Sequence, residues 1–314
     1  MSQPARATAF APASTSNLAV GFDLLGHPLQ RFGDRVTAVR AATPGVVMGP
    51  ITGTVTGLPA DPALNTAGRA VMRMLRDQAP GLGMEISIEK GIPLSSGIGG
   101  SAASAVAAVV AANALLPRPL ATEELFAYAL RGEEVASGAI HGDNVAPSLF
   151  GGLVLVRSAI PADVVRLPAP PGLRCVLALP ELTLNTRDAR AVLPRQVPLR
   201  DVTTQCANLA GVLAGCYRGD LALIGRSLRD VLVEPHRAAL IPGFHAVQAA
   251  AMDAGALGCS ISGAGPSLFA WCAGDAVADA VALAMRDAFA RADVAASAWV
   301  SPVDGPGARV ESVE

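Results

Sequence analysis

PLSSGIGGSAA, residues 93–103, joins a predicted strand over residues 84–90 to a long alanine-rich helix that begins near Ser101. Glycines at positions 97, 99 and 100 permit positive φ angles and close backbone approach, so consecutive amides can turn toward one ligand. Ser101 can cap the helix or bind a metal ion, and the helix dipole favours an anion at this end. The segment predicts a phosphate-binding loop, with a simple glycine-rich helix cap as the alternative.

The residues before this loop predict a mixed set of elements. Alternating small and polar residues indicate strands at 5–11 and 35–41, with a turn-rich functional loop between them. Residues 46–58 are rich in glycine and threonine and predict a hairpin, and residues 65–78 have helical spacing.

The residues after the loop predict two domains. We expect a helix at 122–136, a turn at 142–147 and a strand at 152–156. Prolines crowd between residues 161 and 171 and predict a linker, so we place the domains at 1–165 and 166–314. Strands and helices then mix without strict alternation, which favours an α+β fold. The later predicted elements are strands at 174–178, 256–272 (two strands around a turn) and 295–300, and helices at 186–193, 201–217, 220–232, 243–254 and 275–291.

The composition excludes several classes of protein. Hydrophobic residues make up 51% and charged residues 16% of the chain, which excludes intrinsic disorder and predicts a large core and a subunit interface. The formal net charge is −2 and no basic run occurs, so we expect no nucleic-acid partner. No apolar stretch is long enough for a membrane helix, and five cysteines without a CxxC pair fit free thiols. We therefore expect a cytoplasmic protein with no membrane partner.

Lysine is nearly absent, since Lys90 is the only one in the chain. A Walker A phosphate loop needs a lysine after its last glycine, so this motif is excluded. Any chemistry that requires a lysine would have to use Lys90, and the sequence indicates no aspartate partner for it.

The glycine loop resembles the phosphate-binding motif of the GHMP kinases, P-x3-G-L-G-S-S-A-A. Ile98 replaces the usual leucine, and Gly100 replaces the first of the two serines, whereas Ser101 keeps the second. Loss of the first hydroxyl removes a side-chain contact but leaves the amide cradle intact.

Five further segments extend the resemblance along the chain and narrow it to the homoserine kinase family. They are PASTSNLAVGFDLLG (12–26), SGAIHGDNVAP (137–147), TRDARAVLP (186–194), EPHRAALIPGF (234–244) and ISGAGPSL (261–268). The resemblance implies an N-terminal domain of the ribosomal protein S5 domain 2-like type and a ferredoxin-like C-terminal domain. It also implies ATP-dependent phosphorylation of the side-chain hydroxyl of L-homoserine, a step of threonine biosynthesis, with Mg²⁺ as metal and a homodimer as assembly.

The resemblance assigns one group of residues to the nucleotide. Ser101 and Glu133 are implied as Mg²⁺ ligands, and Glu134 suits the helix surface, because neighbouring helical residues point in different directions. Asn65 is implied as a nucleotide contact, although a helix N-cap is an equal alternative. The implied ATP-binding residues are Asn65, Pro93, Ser95, Ser96, Gly97, Ile98, Gly99, Gly100, Ser101 and Ala102.

A second group is implied to bind the acceptor. Arginine suits a substrate carboxylate because its planar fork binds two oxygens, and the resemblance selects Arg190 and Arg237 among many arginines. Asp23 is implied to pair with the substrate ammonium, whereas a turn-capping carboxylate is the alternative. The implied substrate contacts are Asn17, Asp23, His141, Asn144, Arg190, Arg237 and Gly263, and the implied catalytic group is Ser101, Glu133 and Asn144.

Two alternatives remain open from the sequence. Another GHMP kinase, acting on mevalonate, a sugar or shikimate, would need different substrate segments. A catalytically silent member that binds a ligand as a sensor is favoured only by Gly100 in place of serine. For the reaction itself, direct attack of the hydroxyl without a dedicated base is the simplest interpretation.

Overall fold

The computed structural model describes residues 4–137 and 142–314. The strands are β1 Arg6–Ser16, β2 Leu25–Ala41, β3 Gly45–Gly53, β4 Gly83–Lys90, β5 Leu153–Ser158, β6 Asp163–Leu167, β7 Leu173–Pro180, β8 Gly258–Ile261, β9 Leu268–Ala273, β10 Ala296–Pro302 and β11 Arg309–Val313. The helices are α1 Thr66–Gln78, α2 Gly100–Asn113, α3 Thr122–Ser137, α4 Val145–Phe150, α5 Thr186–Ala191, α6 Leu199–Arg218, α7 Leu221–Ser227, α8 Glu234–Arg237, α9 Phe244–Asp253 and α10 Asp275–Arg291. A short 3₁₀ turn follows α8 at Ala238–Leu240.

The first sheet has seven strands. Its main path runs β11-β1-β2-β4-β3, and β5 pairs with both β2 and β6. All described pairings in it are antiparallel except that of β3 with β4, which is parallel. The chain returns at its end to this sheet, because β11 pairs with β1.

Helices α1, α2 and α3 pack together beside this sheet, and α2 is its central helix. Ten of the α2 residues are buried, most of them alanines, so the helix is enclosed on all sides. Alanine suits this position because it has the highest helix propensity and lets neighbouring backbones approach closely. The prediction of a buried alanine-rich helix is confirmed.

The second sheet has four strands in the order β10-β7-β9-β8, all antiparallel. Helices α9 and α10 cover it, and their apolar side chains form a core with one face of the sheet. Large residues from its other face, among them Phe269, Trp271 and Trp299, join the core of the first sheet.

The two sheets meet through aromatic contacts. The indole Nε1 of Trp271 in β9 donates a hydrogen bond of 3.2 Å to Nε2 of His27 in β2. The ring of Trp299 in β10 lies 4.5 Å from that of Phe32 in β2, measured between centroids. The α+β class is confirmed by these layers, while the domain boundary at 165/166 stays a prediction.

Several local predictions are wrong. Residues 46–58 form no hairpin, because 45–53 are one strand that pairs with β4. The local pattern did not predict this pairing, since β4 is distant in sequence. The long loop predicted between the first strands shrinks to residues 17–24, because β1 continues to Ser16 and β2 begins at Leu25. The predicted turn at 142–147 contains the start of α4, and the predicted linker at 161–171 contains β6. The helix predicted at 220–232 ends at Ser227. Strand β11 has no counterpart among the predicted elements.

No helix in the described part of the chain has the length and apolar character needed to cross a bilayer.

Candidate active site

A cavity of about 310 Å³ opens where the glycine loop, the β1–β2 loop and helices α3, α5 and α8 converge. The described residues lining it include most of those singled out by the sequence. They are Ser16, Asn17, Phe22, Asp23, Lys90, Pro93, Leu94, Ser95, Ser96, Gly97, Gly99, Gly100, Ser101, Glu133, Asp143, Asn144, Asn185, Thr186, Arg190, Arg237, Gly263 and Ala264.

The glycine loop follows β4 and ends at the first turn of α2. Gly97 and Gly99 have φ angles of 76° and 68°, in the left-handed region that glycine adopts without strain. A Cβ on Gly97 would lie 2.6 Å from the carbonyl oxygen of Gly265, and one on Gly99 would lie 2.4 Å from Oγ of Ser14. Both positions therefore need glycine for conformation and for space.

The second glycine turn, residues 262–267, braces this loop from the other sheet. Oγ of Ser262 donates to the carbonyl oxygen of Gly97 over 2.8 Å, and Oγ of Ser267 donates to that of Ser96 over 2.6 Å. The glycine loop is thus held by hydrogen bonds from both layers of the molecule.

Gly100, the departure from the usual motif, is the first residue of α2. A Cβ there would lie 3.0 Å from Cγ2 of Ile92 and 3.7 Å from Nζ of Lys90. Serine at this position would therefore require Ile92 to shift by a few tenths of an ångström. The close packing gives a structural reason for glycine here.

Lys90 has a partner that the sequence did not indicate. Its ammonium forms a buried ion pair with Asp34 of β2, 56 residues away. It also donates to the carbonyl oxygen of Gly100 over 2.8 Å and to Oγ of Ser104 over 2.9 Å. The expectation that Lys90 lacks an aspartate partner is wrong, because β2 and β4 are adjacent only in the folded sheet.

Ser101 and Glu133 face each other across the cavity floor and share a side-chain hydrogen bond. Burial is the largest cause that raises the pKa of Glu133 to about 7. Nearby Asp143 contributes to this rise, while the bond to Ser101 and the charge of Lys90 oppose it. Glu134 instead is exposed and pairs with Arg131 at 3.4 Å. The two neighbouring acids therefore point to different environments, as the helical geometry predicted.

The β1–β2 loop is held in an unusual conformation. Asn17, Leu18, Ala19 and Asp23 all have positive φ angles, between 44° and 68°. The Asn17 amide stabilises this loop, because its Nδ2 donates to the carbonyl oxygen of Gly263 over 2.7 Å and its Oδ1 accepts from the Asp23 amide over 2.9 Å. Asp23 is thereby presented at the cavity wall.

Asn144, directly before α4, is linked to β1 through its side-chain amide. Its Oδ1 accepts from Oγ of Ser14, and its Nδ2 donates to Oγ of Ser16, both over 2.9 Å. The neighbouring Asp143 is buried, and burial raises its pKa to about 6, with repulsion from Asp23 adding to the rise and a bond to Ser16 opposing it. Asp143 also lines the cavity. His141 lies outside the described residues.

Arg190 and Arg237 lie side by side around Phe22. The guanidinium carbon of each lies 5.2 Å from the centre of the Phe22 ring, within the range of a cation–π contact. Nη2 of Arg190 donates to Oδ1 of Asp23 over 2.6 Å. Arg237 is 2% exposed and donates to the carbonyl oxygens of Ala189 and Gly263. Burial, together with repulsion by Arg190, lowers its pKa to about 10, while nearby aspartates such as Asp23 oppose this shift.

Three residues assigned to the nucleotide do not line this cavity. Ile98 and Ala102 are fully buried and pack in the core. Asn65 is the N-cap of α1: its Oδ1 accepts from the amides of Ala67 and Gly68, and its Nδ2 donates to the carbonyl of Pro59. The capping alternative accounts for its side chain, and its nucleotide contact stays a prediction.

Sequence reasoning missed Phe22, Ser16 and Asp34. Phe22 adjoins Asp23 in the quoted GFD segment, so its place beside the loop aspartate was an available signal. Ser16 likewise adjoins Asn17 in the same quoted segment, whereas Asp34 gave no local signal, because its partner Lys90 is 56 residues away.

Family models match two parts of the chain. The model described as GHMP kinases N terminal domain matches residues 65–152, and the model described as GHMP kinases C terminal matches residues 212–291.

Named relatives and solved structures agree with these matches. The chain is 53% identical over 307 residues to a homoserine kinase of Xylella fastidiosa (strain 9a5c), covering 97% of this chain and 94% of the relative. It is 50% identical to a homoserine kinase of Xanthomonas campestris pv. campestris (strain B100), with the same coverage. The crystal structure of a homoserine kinase from Cytophaga hutchinsonii superposes with a TM-score of 0.95 at 42% identity, covering 99% of this chain and 98% of that one. An L. major mevalonate kinase, at 18% identity and a TM-score of 0.70, shares the fold.

Proposed function

This chain belongs to the homoserine kinase family of the GHMP kinases, and from that premise we propose that it transfers the γ-phosphoryl group of ATP to the side-chain hydroxyl of L-homoserine. The products are O-phospho-L-homoserine and ADP, in a step of threonine biosynthesis.

The observation that carries the proposal is the charge pattern opposite the glycine loop. Arg190 and Asp23 form an ion pair at the cavity wall, and Arg237 lies beside them. An amino acid carries a carboxylate and an ammonium on adjacent atoms. It can therefore replace the internal pair with two new ones, its carboxylate on the guanidinium groups and its ammonium on Asp23.

The glycine loop supplies the other half of the site. Its amides, together with the N-terminus of α2, suit the negative charge of nucleotide phosphates. Of the loop residues assigned to ATP, Pro93, Ser95, Ser96, Gly97, Gly99, Gly100 and Ser101 line the cavity, which supports this role.

Positioning and charge stabilisation do most of the work in phosphoryl transfer. Asn144 and Gly263, at the junction of the two halves, suit a role in directing the acceptor hydroxyl toward the γ-phosphorus. Lys90 suits the role of a base poorly, because its ammonium donates to Asp34, Gly100 and Ser104. We therefore favour direct attack by the hydroxyl, with its proton passing to the transferred phosphoryl group.

Magnesium fits the floor of the cavity. The Ser101 hydroxyl and the Glu133 carboxylate lie within hydrogen-bond reach of each other, and both are oxygen donors of the kind that Mg²⁺ prefers. Mg²⁺ is commonly held by one or two carboxylates together with substrate phosphates, which suits a site with a single glutamate. When bound, the ion would neutralise charge on the phosphates.

The test is an assay of ADP release with Mg-ATP over a panel of acceptors. We expect turnover with L-homoserine and none with mevalonate, galactose or shikimate. Turnover of one of these alone would place the activity in another branch of the GHMP kinases. ATP binding without turnover of any acceptor would favour the silent-member alternative.

We also propose that the chain forms a homodimer in the cytosol. The high apolar content supports an interface, and the five cysteines are all free thiols, as in a reducing compartment. Light scattering coupled to size exclusion tests the first point, since a molar mass near the chain's own 31.7 kDa would contradict it.

A further inference from the structure

The glycine loop is tied at both ends by one buried cluster of side chains, which consists of Asp34, Lys90 and Ser104. Oδ1 of Asp34 accepts from the amides of Gly91 and Ile92, at 3.0 and 3.3 Å, where the chain enters the loop. The ammonium of Lys90 donates to the carbonyl oxygen of Gly100, where the chain leaves it.

The third member closes the cluster. Oγ of Ser104, one turn into α2, donates to Oδ2 of Asp34 over 2.6 Å and accepts from Lys90 over 2.9 Å. Lys90 therefore uses all three of its donor positions on Asp34, Gly100 and Ser104. The cluster is a complete hydrogen-bonded network inside the protein, and Asp34 is fully buried.

Stability alone is a weak reason for such a pair. A buried ion pair seldom stabilises a fold more than apolar residues of similar volume, because both charges lose their hydration. A role in geometry accounts for it better. The loop between the two tied ends contains Ser95, Gly97 and Gly99, all at positive φ, so its own backbone preferences do not define one conformation.

The ion pair of Lys90 and Asp34 also has a defined orientation relative to the cavity. Lys90 lines the cavity whereas Asp34 lies behind it, so the positive end of a net neutral pair faces the place proposed for the phosphates. A preorganised dipole of this kind favours an anion without the rearrangement that water would need.

We propose that Asp34 and Lys90, with Ser104, are positioning residues that fix the phosphate loop in its ATP-binding conformation. The proposal rests on the proposed function for the identity of the nucleotide. It assigns the cluster to the nucleotide half of the reaction only, so the acceptor half at Arg190 and Asp23 should not depend on it.

The test compares variants that keep the interior electrically neutral. Removing one partner alone would leave a buried charge unpaired and could prevent folding, so the main variant is Asp34→Asn combined with Lys90→Met. We expect it to fold and to melt near the wild-type temperature. Its Kd for ATP, measured by calorimetry, and its KM for ATP should rise roughly 10-fold to 100-fold, with KM for homoserine unchanged.

Two further variants sharpen the test. Ser104→Ala keeps the ion pair and fits an alanine-rich helix, so it should raise the Kd for ATP in the same direction by about threefold. The matched control is Arg174→Gln combined with Asp275→Asn, a neutralised surface pair between β7 and α10, which should leave the Kd for ATP unchanged.

Two results would overturn the proposal. One is a double variant that binds ATP as tightly as the wild type. The other is a parallel rise of both KM values together with a large loss of melting temperature, which indicates a merely structural role. Calorimetry with ATP alone keeps the two proposals separate: if the wild type does not phosphorylate homoserine, a selective loss of ATP affinity in the double variant still supports the positioning role.

Discussion

At the scale of single residues, polar side chains of the site are bonded to one another. Arg190 is paired with Asp23, and Ser101 is hydrogen-bonded to Glu133. Under the proposed function, the substrate would replace the partners within the Arg190–Asp23 pair, and Mg²⁺ would lie between Ser101 and Glu133. Substitutions at these positions should therefore affect one substrate and not the other.

The first prediction concerns Ser101→Ala. Loss of one charge-stabilising contact of about 3 kcal/mol should lower kcat by about 10²-fold at saturating Mg-ATP. Steady-state kinetics measures this directly. The control is Thr204→Ala on exposed α6, whose hydroxyl bonds only within its own helix. Near-normal kcat for Ser101→Ala would remove this serine from the proposed machinery.

The second prediction concerns Arg190→Ala. Losing a charge-assisted contact of about 1.5–3 kcal/mol with the substrate carboxylate should lower kcat/KM for homoserine roughly 10-fold to 150-fold. KM for ATP should hardly change, because Arg190 lies on the acceptor side of the cavity. Arg190→Lys should restore only part of the loss, since an ammonium lacks the bidentate fork.

Arg187→Ala is the matched control for this prediction, because Arg187 is exposed on the same short helix. It should behave like the wild type. A severe defect in Arg187→Ala with none in Arg190→Ala would show that the alignment of this segment with the family motif is shifted by three residues, so that Arg187 is the substrate-binding arginine. Arg237→Ala is a less clean test, since its guanidinium also holds the carbonyl oxygens of Ala189 and Gly263.

At the scale of elements, the position of Glu133 depends on how closely three helices approach. Gly132, the residue before it in α3, lies against the other two helices of the first domain. A Cβ at this position would lie 2.4 Å from the carbonyl oxygen of Thr66 at the start of α1 and 2.9 Å from Cβ of Ala105 in α2. Glycine in the middle of a helix is unfavourable by itself, so this contact explains its presence.

The third prediction concerns Gly132→Ala. The added methyl group forces α3 away from α1 and should lower the free energy of unfolding by about 1–3 kcal/mol, more than the gain of up to about 1 kcal/mol in helix propensity. Denaturant unfolding measures the change. Gly81→Ala is the control, because a Cβ there meets no atom within 4 Å. Equal stability of the two variants would contradict the packing argument.

At the scale of the whole molecule, the two sheets are joined by a histidine that must stay neutral. His27 is fully buried, with Nδ1 bonded to the carbonyl oxygen of Pro28 and Nε2 accepting from Trp271. Burial lowers the pKa of His27 from 6.5 to about 4, an effect that the bond to Pro28 partly opposes. The joint between the sheets is therefore sensitive to acid.

The fourth prediction follows from this pKa. Between about pH 6.5 and pH 4 the unfolded chain binds a proton at His27 that the folded protein does not, so the free energy of unfolding falls as the pH is lowered. A pKa shift of this size corresponds to a loss of roughly 3 kcal/mol in the free energy of unfolding at the acid end of this range. Denaturant titrations across this range measure it.

The variant His27→Gln should be less stable at pH 7 but should lose this part of the acid dependence. His236→Gln, at an exposed position, should keep the wild-type profile. If His27→Gln and the wild type lost stability in parallel on acidification, His27 would not be the group responsible.

Features that depend on local backbone chemistry were determined by the sequence. The glycines at 97 and 99, followed by a run of alanines, predict a turn into a buried helix, because tolerance of positive φ and high helix propensity are properties of those residues. The Asn65 cap follows from helix geometry in the same way. Helix geometry also predicts that Glu133 and Glu134 point in different directions, while the resemblance chose Glu133 as the one that faces the site. The quoted motifs likewise identified the family, and with it the α+β fold, although the site assignments carried by the resemblance stay predictions.

Features that depend on distant partners were decided only by the tertiary structure. Residues 45–53 became a parallel strand because β4 offered a free edge, and the last residues of the chain became a strand because β1 offered the other. Asp34 was one aspartate among many until the sheet placed it beside Lys90, and Phe22 was one aromatic residue until two arginines packed around it. Pairing energy depends on distance in space, and residues far apart in the chain carry no local pattern that records that distance.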